Sequence, residues 1–384
     1  MGLVLSRGLM SGPPPAPVCV GDTITSMAQF SIKRSTTPTA EAARHAALAD
    51  PGFGRYYVDH MAVIDYISGD GWQEPRIVPT TEWALHPASA VLHYGQEIFE
   101  GLKAYRHDDD SIWLFRPERN AARFVNSARR LGMAVLPEDL FLASVEELVK
   151  LEHHWVPVSE NEQSLYLRPF TIASEPYLGV REANTYRYAV IATPAGPYYS
   201  EPVKLWITPN YTRAAPGGTG TAKCGGNYAA SLIATEEAAA NGCGQVLWLD
   251  GAERKWVEEC GTMNIMFVTA DGELLTPALG TILPGVTRES ILELAADHDL
   301  KAVERKISID EVLDGVASGQ IAEVFACGTA AVVTPITGFN SPDRGPQQVA
   351  DGMPGSKTRE IRQHLVDIQY GRAEDKHGWM RRVV

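Results

Sequence analysis

The sequence contains no long hydrophobic run. No window of about 18 apolar residues occurs, so a membrane-crossing helix is excluded. The short apolar run in "MGLVLSRGLM" is broken by Arg7 and followed by the proline cluster "GPPPAP", too weak a pattern for a secretory signal. Cysteine is scarce. The five present (Cys19, Cys224, Cys243, Cys260, Cys327) are odd in number, dispersed and without a CxxC pair. That excludes a disulfide framework and a zinc knuckle, and leads us to expect a reduced, cytoplasmic protein. Basic residues are also in deficit, 34 Lys+Arg against 47 Asp+Glu, for a net charge of −13. Nucleic acid and anionic membranes are therefore not expected as partners, and an anionic ligand would need a locally positive pocket.

What is present fits a soluble two-domain chain. The 384 residues exceed the usual single-core limit, while 45% hydrophobic and 21% charged residues are ordinary values. Residues 1–40, rich in Pro, Ser and Thr, read as a flexible N-terminal extension, with Met27 a candidate alternative start. Two halves with mixed helices and strands follow, 41–194 and 204–384, joined by a Pro/Gly/Tyr-rich linker at 195–203. A site in the cleft between them is expected.

In the first half, "HMAVIDY" (60–66) and "SIWLFRP" (111–117) have strand character, and "HDDD" (107–110) reads as a solvated hairpin turn. "NAARFVNSARRLGM" (120–133) has helical spacing. "SVEELVKLEHHWVP" reads as a helix opened by a Ser144-x-x-Glu147 capping box. Its adjacent His153 and His154 would point about 100° apart, so the pair does not converge on one ion and no metal site is expected. In the second half we expect an Ala-rich helix at 227–240, strands at "QVLWLD" and 264–269, and a helix with Thr287 at its N-cap. A second capping box is expected from Ser308 to Glu311.

One stretch, "GGTGTAKCGGNYAASL" (217–232), carries chemistry. Five of its first ten residues are glycine, around a single lysine, Lys223. A P-loop needs Gly before and Ser/Thr after the lysine, whereas Ala222 and Cys224 stand there. No GxGxxG occurs in it. A solvated surface loop remains an alternative, but "NYAASLI" starts a helix at once, so the loop enters the fold. Small neighbours let a planar ligand approach an amine that can form a Schiff base with a carbonyl compound, pyridoxal phosphate among them. Such a use requires an acid for a ring nitrogen, donors for a phosphate and an apolar wall. Candidates exist for each: Glu259 just before a strand, "LPGVTRES" with Thr287 at a helix N-terminus, and Thr329 at a Gly turn.

Taken together and in order, "LHYGQEIFEGLKAYR" (92–106), "SLYLRPF" (164–170), "EPYLGV" (175–180), "PGGTGTAKCGGNYAASL" (216–232), "NGCGQVLWLD" (241–250), "EECGTMNIMFV" (258–268), "LPGVTR" (283–288) and "EVFACGTAAVV" (323–333) resemble the branched-chain amino acid aminotransferases. These are fold type IV pyridoxal-phosphate enzymes. The resemblance runs from about Phe53 to the end of the chain. It implies a two-domain α/β (α+β) fold, with a small N-terminal α/β domain and a larger pseudo-barrel domain, and a homodimer. It also implies pyridoxal 5′-phosphate as cofactor, with L-leucine, L-isoleucine or L-valine and 2-oxoglutarate as substrates.

Carried over by position, the resemblance makes Lys223 the Schiff-base lysine, Tyr228 the partner of the cofactor's phenolic oxygen and Glu259 the partner of its pyridine nitrogen. Arg123 becomes the phosphate ligand, with Val286, Thr287 and Thr329. Phe53, Tyr94, Phe99, Tyr166 and Tyr198 become the substrate wall. Thr262 and the Thr329–Ala330 amides receive the α-carboxylate, and Arg168 the side-chain carboxylate of glutamate. Leu178 and Val180 reach the partner subunit's site. Ala331 and Thr334 stand where some animal relatives carry a CxxC pair, so thiol switching there is not expected. D-amino acid aminotransferases, aminodeoxychorismate lyases and a non-catalytic binding protein of the same fold are the competing readings. The first two are typically shorter and lack "FEGLKAYR" with "YLRP".

Overall fold

The computed structural model describes residues 29–196 and 201–384; Cys19, Tyr198 and the middle of the expected linker lie outside them. Two mixed sheets, each nine-stranded among the described residues, organise the two halves. The first runs in the order Ser31–Ile32, Gly71–Pro79, His60–Ile67, Thr185–Ala195, Ser164–Ala173, Leu102–Arg106, Ile112–Phe115 and Met380–Arg382, with Glu97–Phe99 beside Ser164–Ala173. Its neighbours are antiparallel except at the Ser31–Ile32 edge. The expected flexible extension therefore stops short of residue 40, because Phe30 is buried and Ser31–Ile32 pairs with Arg76–Ile77. The last strand, Met380–Arg382, comes from the far end of the chain and pairs with Trp113–Phe115.

The second sheet begins with Val257–Cys260, Gln245–Leu249, Val203–Ile207 and Val332–Asn340. It continues through Ile321–Gly328, Asn264–Thr269, Glu273–Thr276 and Lys301–Glu304. A bridge between Cys260 and Met263 brings its first strand back beside Asn264–Thr269, so the sheet curls toward a half-barrel. Its central strands are near-continuous apolar runs covered on both faces, as buried strands require.

Most local expectations hold. The 107–110 turn joins the antiparallel strands Leu102–Arg106 and Ile112–Phe115. The helix Pro117–Arg130 starts on Pro117 and buries Asn120, Ala121, Phe124, Val125 and Ala128, a helical stripe that also carries Arg123 and Ser127 inward. Ser308 caps Ile309–Ser318 by accepting from the Glu311 amide at 3.1 Å. Three differ. Ser144 does not open a helix. The helix is Glu138–Leu151, begun after Pro137, and the Ser144 hydroxyl donates back to Phe141 O at 2.7 Å within it. Proline before two acidic residues is the start signal, and the Ser-x-x-Glu spacing was coincidental. Gly285, not Thr287, stands at the N-cap of Val286–Leu294. The Ala-rich segment is two helices, Gly225–Ala229 and Leu232–Ala240.

Candidate active site

The lysine loop is held by side chains that bind its carbonyls. Asn227 Nδ2 donates to the carbonyls of Thr219 and Ala222, both at 2.9 Å, and Arg130 Nε donates to Gly218 O at 3.0 Å. Glycine is required at Gly220, where a β-carbon would collide with the Thr281 carbonyl. The lysine backbone is fixed from the first half: the Ser127 hydroxyl accepts its amide at 3.0 Å, and its carbonyl accepts from the Phe99 amide at 2.9 Å. Its ammonium donates to the Tyr228 hydroxyl at 2.8 Å and sits 4.9 Å from the Phe99 ring centre.

Around that amine lies a cavity of about 410 Å³ between the two sheets. It collects Lys223, Tyr228, Glu259, Arg123, Val286, Thr287, Thr329, Phe53, Phe99, Tyr166, Arg168, Thr262 and Ala330, predicted from widely separated parts of the sequence. Tyr94, Leu178 and Val180 are not brought into it. Tyr94 instead donates its hydroxyl to Leu178 O, and Leu178 and Val180 are 59% and 83% exposed.

The charged groups divide into two poles. Glu259 is buried with both oxygens engaged, by the Leu283 amide at 2.7 Å and by Arg213 Nε at 2.9 Å. Burial pushes its carboxyl up to about 7, against the pull of the Arg213 guanidinium. At the other pole Arg123 is held by Glu100, which is wholly buried, through Nε to Oε1 at 2.7 Å and Nη2 to Oε2 at 2.9 Å. Burial alone would raise the Glu100 carboxyl, but the Arg123 guanidinium brings it below its ordinary value. The remaining Arg123 donor, Nη1, lies 3.1 Å from Pro284 O, beside the first turn of Val286–Leu294. That turn has free amides and the positive end of the helix dipole, a setting for a phosphate.

The aromatic side is ordered by contact rather than charge. Phe53 meets Tyr166 edge-on at 5.0 Å, and Phe99 tilts on Tyr228 at 5.0 Å. Gly101 leaves the space that the Tyr166 hydroxyl fills. Arg168 donates to the Tyr166 hydroxyl at 2.9 Å, lies over the Phe99 ring at 4.7 Å, and keeps a buried Nε without a hydrogen-bond partner. Glu100, Arg213, Ser127 and Lys103 escaped the sequence reading. Lys103 is buried and donates to Ala330 O at 2.9 Å, and burial pushes its ammonium down to about 8. Glu100 lay inside the quoted "FEGLKAYR" stretch, but an ion pair across twenty-three residues has no signature in sequence.

These residues fit a phosphate-bearing aromatic aldehyde. They offer an amine for the carbonyl, a buried carboxylate for a ring nitrogen, and an arginine with a helix N-terminus for the phosphate. A fold type IV, pyridoxal-phosphate aminotransferase is the class that this fold and site define. Residues 97–339 match the family described as amino-transferase class IV. The branched-chain-amino-acid aminotransferase of Mycolicibacterium smegmatis is 52% identical over 362 residues, covering 92% of this chain and 98% of the relative. Branched-chain-amino-acid transaminase 1 of Bacillus subtilis is 47% identical over 333 residues, covering 85% and 93%. The crystal structure of the Escherichia coli branched-chain amino acid aminotransferase aligns with a TM-score of 0.69 at 28% identity, covering 84% of this chain and all of that one. A second solved branched-chain amino acid aminotransferase, crystallised with pyridoxamine 5′-phosphate, aligns at 0.67 and 28%, covering 84% and 99%. The chain belongs to the class IV aminotransferases and, within them, to the branched-chain-amino-acid aminotransferases.

Proposed function

We propose that the protein exchanges the amino group of L-leucine, L-isoleucine or L-valine with 2-oxoglutarate in a ping-pong cycle, in branched-chain amino acid metabolism. The observation that carries this reading is the Lys223 amine and the Glu259 carboxylate facing one cavity that Phe53, Phe99 and Tyr166 also line. When bound, pyridoxal 5′-phosphate supplies a carbonyl carbon that takes the substrate nitrogen and a ring that accepts the electron pair left on Cα.

The chain does the rest. Lys223 Nζ, oriented by the Tyr228 hydroxyl and the Phe99 face, would take the α-proton of the substrate and hold it at that nitrogen. Glu259 keeps the ring nitrogen protonated, the state that accepts electrons best. Arg123, the Val286 and Thr287 amides and Thr329 hold the phosphate, while Thr262 and the Thr329–Ala330 amides hold the substrate's α-carboxylate. Phe53, Phe99 and Tyr166 exclude water around a branched side chain. Each methylene is worth about 1–3 kcal/mol in such a pocket, enough to favour branched chains without separating the three. We place the active form as a cytoplasmic homodimer, in which the exposed Leu178 and Val180 enter the partner's site beside Tyr94. Among the described residues no helix is long and apolar enough to cross a membrane.

Absorbance tests the reading directly. Leucine is expected to bleach the yellow of the cofactor-loaded protein, D-alanine to leave it, and borohydride to fix the label on Lys223 by mass spectrometry. Absence of an adduct at that residue would overturn the assignment. The unpartnered Arg168 Nε supports a second expectation. Arg168→Ala is expected to slow the glutamate half-reaction more than tenfold beyond the leucine one, roughly the worth of one charge-assisted hydrogen bond. Equal losses in the two single-turnover assays would reject that role.

A further inference from the structure

Away from the active-site cavity, titratable side chains gather where the strand His60–Ile67 begins, against the C-terminal end of the helix Glu138–Leu151. The two adjacent histidines meet edge-on at 5.4 Å there but take different partners. His153 Nδ1 lies 3.1 Å from Lys150 O, while His154 turns toward two acidic residues. One ligand atom from each of Asp59, Glu152 and His154 falls within 4.8 Å of the others, with His154 Nε2 3.7 Å from Glu152 Oε2.

A second feature is independent of that clustering. Glu152 is 1% exposed, and its buried Oε2 takes no hydrogen bond. Its other oxygen is occupied by His60 Nδ1, and the Ser35 amide donates to His60 Nε2 at 2.8 Å. That leaves the ring proton on Nδ1, facing the carboxylate. Oε1 is thus fixed and Oε2 is left aimed into the gap between Asp59 and His154. Asp59 is oriented just as firmly. Its Oδ1 accepts from the Thr39 amide at 2.8 Å and hydroxyl at 2.7 Å, and Oδ2 from Trp155 Nε1 at 3.1 Å. Outer contacts of this kind orient carboxylates around bound metal ions.

We propose that Asp59, Glu152 and His154 form a binding site for a divalent transition-metal ion of the zinc type. Two carboxylates and one imidazole suit zinc with solvent in the fourth position, whereas calcium and magnesium prefer oxygen-only shells. Asp59 and His154 are half-buried, which gives the ion an entry path. Arg44, His153 and His60 are the cationic or titratable neighbours that oppose it, set against the two carboxylates. Because Asp59 and His60 also hold residues 35–39, the ion braces the N-terminal segment against the helix end. Between those anchors lies Phe53, which lines the active-site cavity.

The test uses tag-free, cofactor-loaded protein, dialysed against a chelator and then free of excess cofactor, titrated calorimetrically with zinc chloride. One zinc per chain is expected, with His154→Gln binding at least about tenfold more weakly. His154 is half-exposed, so this variant is expected to fold, and unchanged leucine turnover without zinc confirms that it has. The other close imidazole pair, His298 Nε2 and His364 Nδ1 at 3.1 Å, supplies the control. His298→Gln is expected to leave zinc binding unchanged. Absence of binding at millimolar zinc would overturn the proposal, as would zinc binding indifferent to His154→Gln or abolished by His298→Gln.

Discussion

Glu259→Gln is expected to lower leucine transamination on the order of 10²-fold while the cofactor stays bound, because phosphate and amine contacts are untouched. The size follows from what the carboxylate does. Glu259 is buried, its carboxyl is pushed up to about 7 against the pull of the Arg213 guanidinium at 2.9 Å, and in the proposed role its charge faces a protonated ring nitrogen. The amide of glutamine keeps the shape and loses that charge, so a protonated ring nitrogen would have no counter-ion. Single-turnover absorbance with saturating leucine reads the chemical step separately from binding. Turnover within about threefold of the parent, less than one kcal/mol of barrier, would show that the charge is not used.

The second large effect concerns stability. Glu100→Ala is expected to cost about 3–5 kcal/mol of unfolding free energy, since it strands the buried Arg123 guanidinium without its partner. Glu100 is completely buried and also accepts from Asn120 Nδ2 at 2.8 Å and the Gly101 amide at 3.1 Å, so the loss reaches four donors at once. Urea denaturation of cofactor-free protein measures it. Glu100→Gln keeps an acceptor for Arg123 and is expected to lose clearly less, with cofactor dissociation faster than in the parent. If the alanine variant were as stable as the parent, Arg123 would have to be held by something other than this pair.

Much of this site was legible in sequence because most of its groups, Arg123 and Phe53 apart, sit in long ordered motifs. Lys223 lies in the glycine-rich loop and Tyr228 in the short helix that follows it, Glu259 precedes a strand that forms where expected, and Thr287 lies in the first turn of a helix. What escaped was whatever depends on two distant segments meeting. Arg213 beside Glu259 and Glu100 beside Arg123 are ordinary residues until segments of one half fold together, and Ser127 beneath Lys223 until the two halves meet. The Ser144 reading failed for the opposite reason. A local signature was present, but Pro137 and the acidic pair after it had already set the helix start seven residues earlier. Likewise, the sequence places His153 and His154 on a helix that in fact ends at Leu151, and it carries no sign of Asp59, which only the fold brings near.

The edge strand Met380–Arg382 bears on how the chain is made. It completes the first sheet by pairing with Trp113–Phe115, and Trp379 beside it packs edge-on against Phe115 at 5.6 Å. Vectorial synthesis delivers the early segments first, so Ile112–Phe115 leaves the ribosome with its outer edge unpaired and waits for the rest of the polypeptide. The N-terminal half is therefore expected to reach its final hydrogen-bonded state only once residues 380–382 have been made, and a nascent chain stalled before residue 379 is the form most exposed to edge-on association.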